Sequence, residues 1–118
     1  MQSANAMVLL VSRDGALRAT QERVFGAAGY SILTAGSPTE AERILRKVMF
    51  RLVIVDHTLN QTERRELVSL TRSLAPRTFV VVLHASGQDC GADLSLDSRL
   101  GVETVLQQVG HLLAKQHF

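Results

Sequence analysis

Leu52-Val53-Ile54-Val55-Asp56-His57 is a run of four apolar, largely β-branched residues that stops abruptly on a carboxylate and an imidazole. It lacks the alternation of a half-exposed strand and the length of a helix. It reads as a central strand of a parallel sheet covered on both faces. Val8-Leu9-Leu10-Val11 and Phe79-Val80-Val81-Val82-Leu83 repeat the pattern. Tyr30-Ser31-Ile32-Leu33-Thr34 is more mixed and suits one edge of the sheet, and the short Leu94-Ser95-Leu96 suits the other.

Helical stretches alternate with these strands. Residues 15–28 place Leu17, Thr20, Val24, Ala27 and Ala28 on one face, and Gly29 follows as a stop. Residues 38–48 follow Ser37-Pro38-Thr39-Glu40, a capping box with proline at the first helical position, and their apolar face is Ala41, Ile44, Leu45 and Val48. Residues 62–75 carry Leu67, Leu70, Thr71 and Leu74 ahead of Pro76. Residues 102–115 carry a stripe of Val102, Val105, Leu106, Val109, Leu112 and Leu113. Stripes of this kind pack onto a sheet. The alternation predicts an α/β fold, a doubly wound five-stranded parallel sheet of order 2-1-3-4-5. In that order the switch point lies between the first and third strands, and ligands gather outside the carboxyl ends there.

The chain has 118 residues, enough for one domain, expected over 7–116 with a flexible lead-in at 1–6. Apolar residues at 46% supply a core, and a net charge of +2 without a Lys/Arg run gives no footprint for nucleic acid. A lone cysteine, Cys90, rules out an internal disulfide and suits a reducing, cytoplasmic setting. No stretch has the roughly 20 apolar residues that span a bilayer, and the first six residues lack the features of a signal peptide.

Four groups end the strands at the switch-point edge: Ser12-Arg13-Asp14, Asp56-His57, His84-Ala85-Ser86 and Asp97-Ser98-Arg99. They are expected to converge on one shallow site. Asp14 reads as an N-cap for the first helix. Asp97 and Arg99 read as a salt-bridged strand end. His57 and His84 with Asp56 or Cys90 are sound metal ligands by type, but their spacing matches no metal motif and the arginines oppose a cation. No Gly-rich phosphate loop, Ser/His/Asp order or paired carboxylates point to an enzyme.

Val8-Leu9-Leu10-Val11 followed by Ser12-Arg13-Asp14, then Ala28-Gly29-Tyr30, Thr34-Ala35-Gly36-Ser37, Leu52-Val53-Ile54-Val55-Asp56 and Gly91-Ala92-Asp93, together resemble the receiver domain of bacterial response regulators. The resemblance spans about residues 7–115 and implies a flavodoxin-like receiver fold. Asp56 matches the family's phosphoacceptor, which takes a phosphoryl group from a histidine kinase with the help of a divalent cation. The family's acidic pair after the first strand corresponds to Ser12 and Arg13. His84 stands where the switch hydroxyl belongs, Ser98 where the lysine belongs, and Arg99 where the following proline belongs. Between His84 and Ser98 the chain is roughly eight residues, about two turns of helix, shorter than the family. The fourth helix is therefore expected to be shortened or absent, with residues 86–92 irregular.

The resemblance implies a pseudo-receiver of a two-component phosphorelay that acts through contacts with a histidine kinase or a downstream effector. No cofactor is expected, and Mg2+ enters only if phosphorylation is retained, with Asp14 and Asp56 as its candidate ligands. Arg13 is expected to contact the Asp56 carboxylate directly and hold it in one state. A second reading places Arg13, Arg99 and His84 around an anion or small ligand on the same scaffold. A third and weaker one makes Asp56 the nucleophile of a hydrolase.

Overall fold

The structure, a computed structural model, describes residues 7–84 and 91–114. Five parallel strands form one sheet in the order β2-β1-β3-β4-β5. They are β1 (Met7–Val11), β2 (Ser31–Ala35), β3 (Leu52–Val55), β4 (Phe79–His84) and β5 (Leu94–Asp97). The helices are α1 (Gly15–Ala27), α2 (Pro38–Leu45), α3 (Gln61–Leu74) and α4 (Val102–Ala114). All strands pair in parallel, so every carboxyl end lies along the same edge.

The period of two in each strand divides the apolar runs between two cores. Leu9, Val11, Val53, Val55, Val80 and Val82 face α2 and α3, where they meet Ala41, Leu45, Leu67 and Val68. Val8, Leu10, Leu52, Ile54, Val81 and Leu83 face the other way and meet Phe25 of α1 and Val105, Val109 and Leu113 of α4. Burying a Val or Leu side chain contributes roughly 1.5–3 kcal/mol, so these two layers are the main favourable term in the fold.

Helix starts follow local chemistry. The Asp14 carboxylate accepts from the N–H groups of Ala16 and Leu17, as an N-cap should. Ser37 caps α2 through Glu40 N, but Glu40 bonds Gly36 N, one residue earlier than a capping box requires. A complete capping box opens α3, with Asn60 and Glu63 each accepting from the other's backbone N–H. Gly29 follows α1 at φ 100°, a conformation that favours glycine. The expected helices end up to three residues early: α1 closes at Ala27 and α2 at Leu45, the latter before the Val48 that was expected to extend its apolar face.

Among the described residues, no helix lies between β4 and β5. The expected irregular segment at 86–92, with Cys90, lies outside the described residues except for Gly91 and Ala92. β5 forms the edge of the sheet. Leu94 and Leu96 pack against the α1/α4 core, whereas Ser95 and Asp97 take the opposite face. All four residues of the strand are half-buried, as suits an edge. A polar clamp joins α3 and β4 to the start of this strand. Asp93 bonds Val80 through both its backbone N–H and its carboxylate, and Arg72 of α3 bonds that carboxylate at 3.0 Å and the Gly91 carbonyl at 3.0 Å.

Candidate functional site

Ser12 and Asp56 continue the neighbouring strands β1 and β3 at their carboxyl ends. Ser12 N–H donates to the Ala35 carbonyl at 3.0 Å and Asp56 N–H to the Val11 carbonyl at 3.1 Å. Both residues are 0% exposed. The sheet thus carries a fully buried carboxylate at the switch point that its strand order creates.

One oxygen of Asp56 is capped. Thr58 donates to Oδ1 from its backbone N–H at 3.0 Å and from its hydroxyl at 2.5 Å. This is an Asx turn, in which an aspartate bonds the backbone two residues on. Having given its one proton to Asp56, the Thr58 hydroxyl accepts from Arg13 N–H at 2.8 Å. Ser12 Oγ lies 3.4 Å from the same hydroxyl and accepts from Asp14 N–H at 3.2 Å. Asp56 Oδ2 is buried and has no hydrogen-bond partner among the described residues. An unpaired buried polar atom costs about 1–3 kcal/mol, and more if charged, so this oxygen keeps the capacity to accept a further hydrogen bond.

The Arg13 guanidinium does not reach Asp56. It pairs with Glu63 at the start of α3, Nη2 to Oε2. This corrects the expected Arg13–Asp56 contact, and the reason is desolvation. Reaching a carboxylate at 0% exposure would strip water from a guanidinium, whereas the Arg13 and Glu63 side chains keep 46% and 23% exposure. Glu63 is also preorganised, because Oε1 already accepts from Asn60 N–H at 3.0 Å and leaves Oε2 for the arginine. The Asn60 bond first, then Arg13, holds the Glu63 carboxyl below its ordinary value of 4.5.

A group held below its ordinary value stabilises the fold above that value and loses the effect as pH falls through the folded one. Glu63→Gln keeps the capping box, which accepts Gln, but removes the charge. The variant is expected to lose at most about 1 kcal/mol at pH 7, where the pair is half-exposed. The difference from wild type should shrink to nothing as pH drops below 4.5. Urea midpoints from pH 7 to pH 3 check this, and a gap that widens toward acid would refute the assignment.

The remaining strand ends form a second cluster. Arg99 binds Asp97 at 2.7 Å, and this contact lowers the Asp97 carboxyl to about 2. The salt-bridged strand end is therefore as read from the sequence. His84 is buried and in register with Asp97, and its carbonyl accepts from Ser98 N–H at 2.8 Å. Arg13 and Arg99, two members of the expected anion pocket, each pair with a carboxylate of their own. His57 is exposed and turns to the α1/α4 side. There it lines a narrow cleft of about 40 Å³ with Leu17, Gln21, Phe25, Ser98 and Leu100.

A divalent cation of the magnesium type needs several oxygen ligands, chiefly carboxylates. The residues present do not fit one. Asp14 is turned to its helix cap, Asp56 Oδ1 already accepts two hydrogen bonds, and Ser12 and Arg13 supply no carboxylate. Among the described residues no group of three or more His, Cys, Asp or Glu side chains is placed to hold a metal. Thr58, Glu63 and Arg18, whose guanidinium bonds the Ser12 carbonyl at 2.8 Å, were not singled out from the sequence. The Asp-x-Thr spacing at 56–58 and the Asn-x-x-Glu spacing at 60–63 were the available signals.

No family model matches the chain. Its sequence is similar to the alginate biosynthesis transcriptional regulatory protein AlgB of Pseudomonas putida, 30% identical over 84 residues, covering 71% of this chain. The chain spans about a fifth of that regulator, 19% of its length. Among solved structures it is similar to a CheY-like response regulator receiver domain protein from Methanospirillum hungatei, with a TM-score of 0.86 at 19% identity. The likeness covers 95% of this chain and 96% of that one. It is also similar to the chemotaxis response regulator CheY4 of Vibrio cholerae, with a TM-score of 0.81 at 24% identity over 91% and 98% of the two chains.

Proposed function

We propose that this chain, whose fold is that of the CheY-like response regulator receivers, is a signalling module of a two-component system that works through protein–protein contacts. Asp56 stands at the acceptor position, and one observation carries the reading. A fully buried carboxylate with an unpartnered oxygen sits at the end of β3, where the 2-1-3-4-5 order opens the sheet. Most buried polar side-chain atoms have a partner, which makes the open oxygen of Asp56 the feature that favours a role beyond structure.

Output in this reading does not depend on phosphorylation. The groups that would balance a phosphoryl charge are missing, and Thr58 and the Arg13–Glu63 pair hold the edge in one arrangement. The domain then presents a fixed surface to a histidine kinase or a downstream effector. The likeness to AlgB supports an output in the same regulatory class.

A photo-crosslinking residue at exposed His57 or Leu100, in cells expressing the protein, tests this. Crosslinks are expected to a histidine kinase, a phosphotransfer protein or a regulator's output domain. Crosslinks to metabolic enzymes alone would sink the reading. Thermal shift with phosphate and citrate is expected to show no stabilisation, and a clear, saturable shift would revive the anion-binding alternative.

A further inference from the structure

The geometry points to Thr58 and Glu63 as the positioning residues that keep Asp56 closed, Thr58 as a neutral cap on the carboxylate and Glu63 as the anchor of a strap across the loop edge. The proposal rests on the reading of Asp56 as an acceptor position and adds how access to it is controlled.

Thr58 is the hub of the arrangement. Its N–H and hydroxyl both close on Asp56 Oδ1, and its oxygen receives the Arg13 backbone N–H. One side chain therefore ties the loop after β1 to the loop after β3. A hydrogen-bonded hydroxyl balances a carboxylate by dipole and needs no cation. It also ties the loop down over Asp56, so that Oδ2, without a partner among the described residues, lies in a side chain that is 0% exposed.

The strap reinforces the cap. Arg13 leaves the β1–α1 loop and pairs with Glu63 in the first turn of α3, and Glu63 is itself fixed to Asn60. The backbone of residue 13 is thereby held where its N–H meets Thr58. Removing the Glu63 charge releases the Arg13 side chain but leaves the Thr58 hydroxyl, so the strap should matter less than the cap. The chain thus carries a closing device made of Thr58, Arg13 and Glu63 around a carboxylate that is 0% exposed.

Carbodiimide coupling of glycine ethyl ester to carboxylates, read by peptide mass spectrometry, reports access to Asp56 without assuming any phosphoryl chemistry. The full chain is used, with exposed Glu22 and Glu66 as internal standards. In the wild type, Asp56 should label at least tenfold more slowly than these two. Thr58→Val, which keeps shape but removes the hydroxyl, should speed Asp56 labelling about tenfold while the standards stay constant. Thr58→Ser should restore slow labelling, and Glu63→Gln should give a smaller increase. If Thr58→Val fails to fold, the Glu63→Gln increase and the slow Thr58→Ser rate carry the test. Wild-type Asp56 labelling as fast as Glu22 overturns the proposal. So does a folded Thr58→Val, or with it unfolded a Glu63→Gln, that labels no faster than wild type. If labelling opens as described but acetyl phosphate with magnesium gives no adduct on Asp56 even in Ser12→Asp/Arg13→Asp, the acceptor reading fails and the closing device stands.

Discussion

Replacing Ser12 and Arg13 together by aspartate is expected to turn an inert edge into a phosphoryl-accepting one, the largest functional change any small substitution should make here. Ser12 is fully buried beside Asp56, so a carboxylate at that position faces the site and not solvent. The second substitution removes the guanidinium now paired with Glu63 and adds a further anion at the same loop. Two new carboxylates with Asp56 form the oxygen-rich set that a hard divalent cation requires. Magnesium should then bind with a Kd on the order of 1 mM, about −4 kcal/mol, while the wild type shows no saturable response. With its charge balanced, an Asp56 oxygen can attack the phosphorus of acetyl phosphate. The O–P bond forms as the bond to acetate breaks, and acetate leaves with the electron pair. Mass spectrometry should find the phosphoryl adduct on Asp56 in Ser12→Asp/Arg13→Asp and not in wild type. NMR shifts around Asp56 follow the magnesium titration. A wild type that readily gains the adduct, or binds magnesium saturably, defeats this account.

Why the fold was legible and the lock was not follows from the range of each signal. Strand order and both core layers come from apolar period, which Leu52–Val55 and Val8–Val11 carry without any distant partner. The Asp14 cap and the Asp97–Arg99 pair are local as well, closing within three residues. The choice of Arg13 between Asp56 and Glu63 is different. It depends on the desolvation cost of each carboxylate and on the Asn60 bond that preorients Glu63, and both are set by tertiary structure. Charge and topology together favoured Asp56, and burial reversed the outcome. Thr58 carries no distinguishing signal of its own, because a hydroxyl near an aspartate is common in turns. Only the chain of contacts from Arg13 N through Thr58 to Asp56 gives it a role.

The end of the sheet shows the same division. The reduced β4–β5 connection was visible as missing length, but its consequence lies in β5. Leu94-Ser95-Leu96-Asp97 alternates because one face has the α1/α4 core and the other has none of the described helices. Arg72, Asp93 and the Gly91 carbonyl then join α3 to that end of the sheet by polar contacts.

Phe25→Ala is expected to be the most damaging single substitution for the fold. Phe25 is 1% exposed and lies in the core between α1, α4 and the sheet, with its ring 5.7 Å from that of Tyr30 at an interplanar angle of 50°. Truncating a buried Phe to Ala costs about 3–5 kcal/mol through lost transfer energy and the cavity left behind. A domain of this size has roughly 5–15 kcal/mol to lose, so the variant should be close to the limit of folding. The site adds to the damage. Phe25 already borders the 40 Å³ cleft beneath His57 and Ser98, and removing the ring merges a new void with it. Water entering from the polar side would find Gln21 and Ser98, so the void need not stay dry. Phe25→Leu keeps most of the volume and should cost under about 1.5 kcal/mol. Met49→Ala, at a residue 78% exposed, should change stability by about 0.5 kcal/mol or less. Urea unfolding of the three variants gives the ranking. Because α1 begins at the Asp14 cap, hydrogen exchange should show the helix opening before β3 in Phe25→Ala. A loss below about 1 kcal/mol for Phe25→Ala would mean that α1 is held to the sheet by something other than this ring.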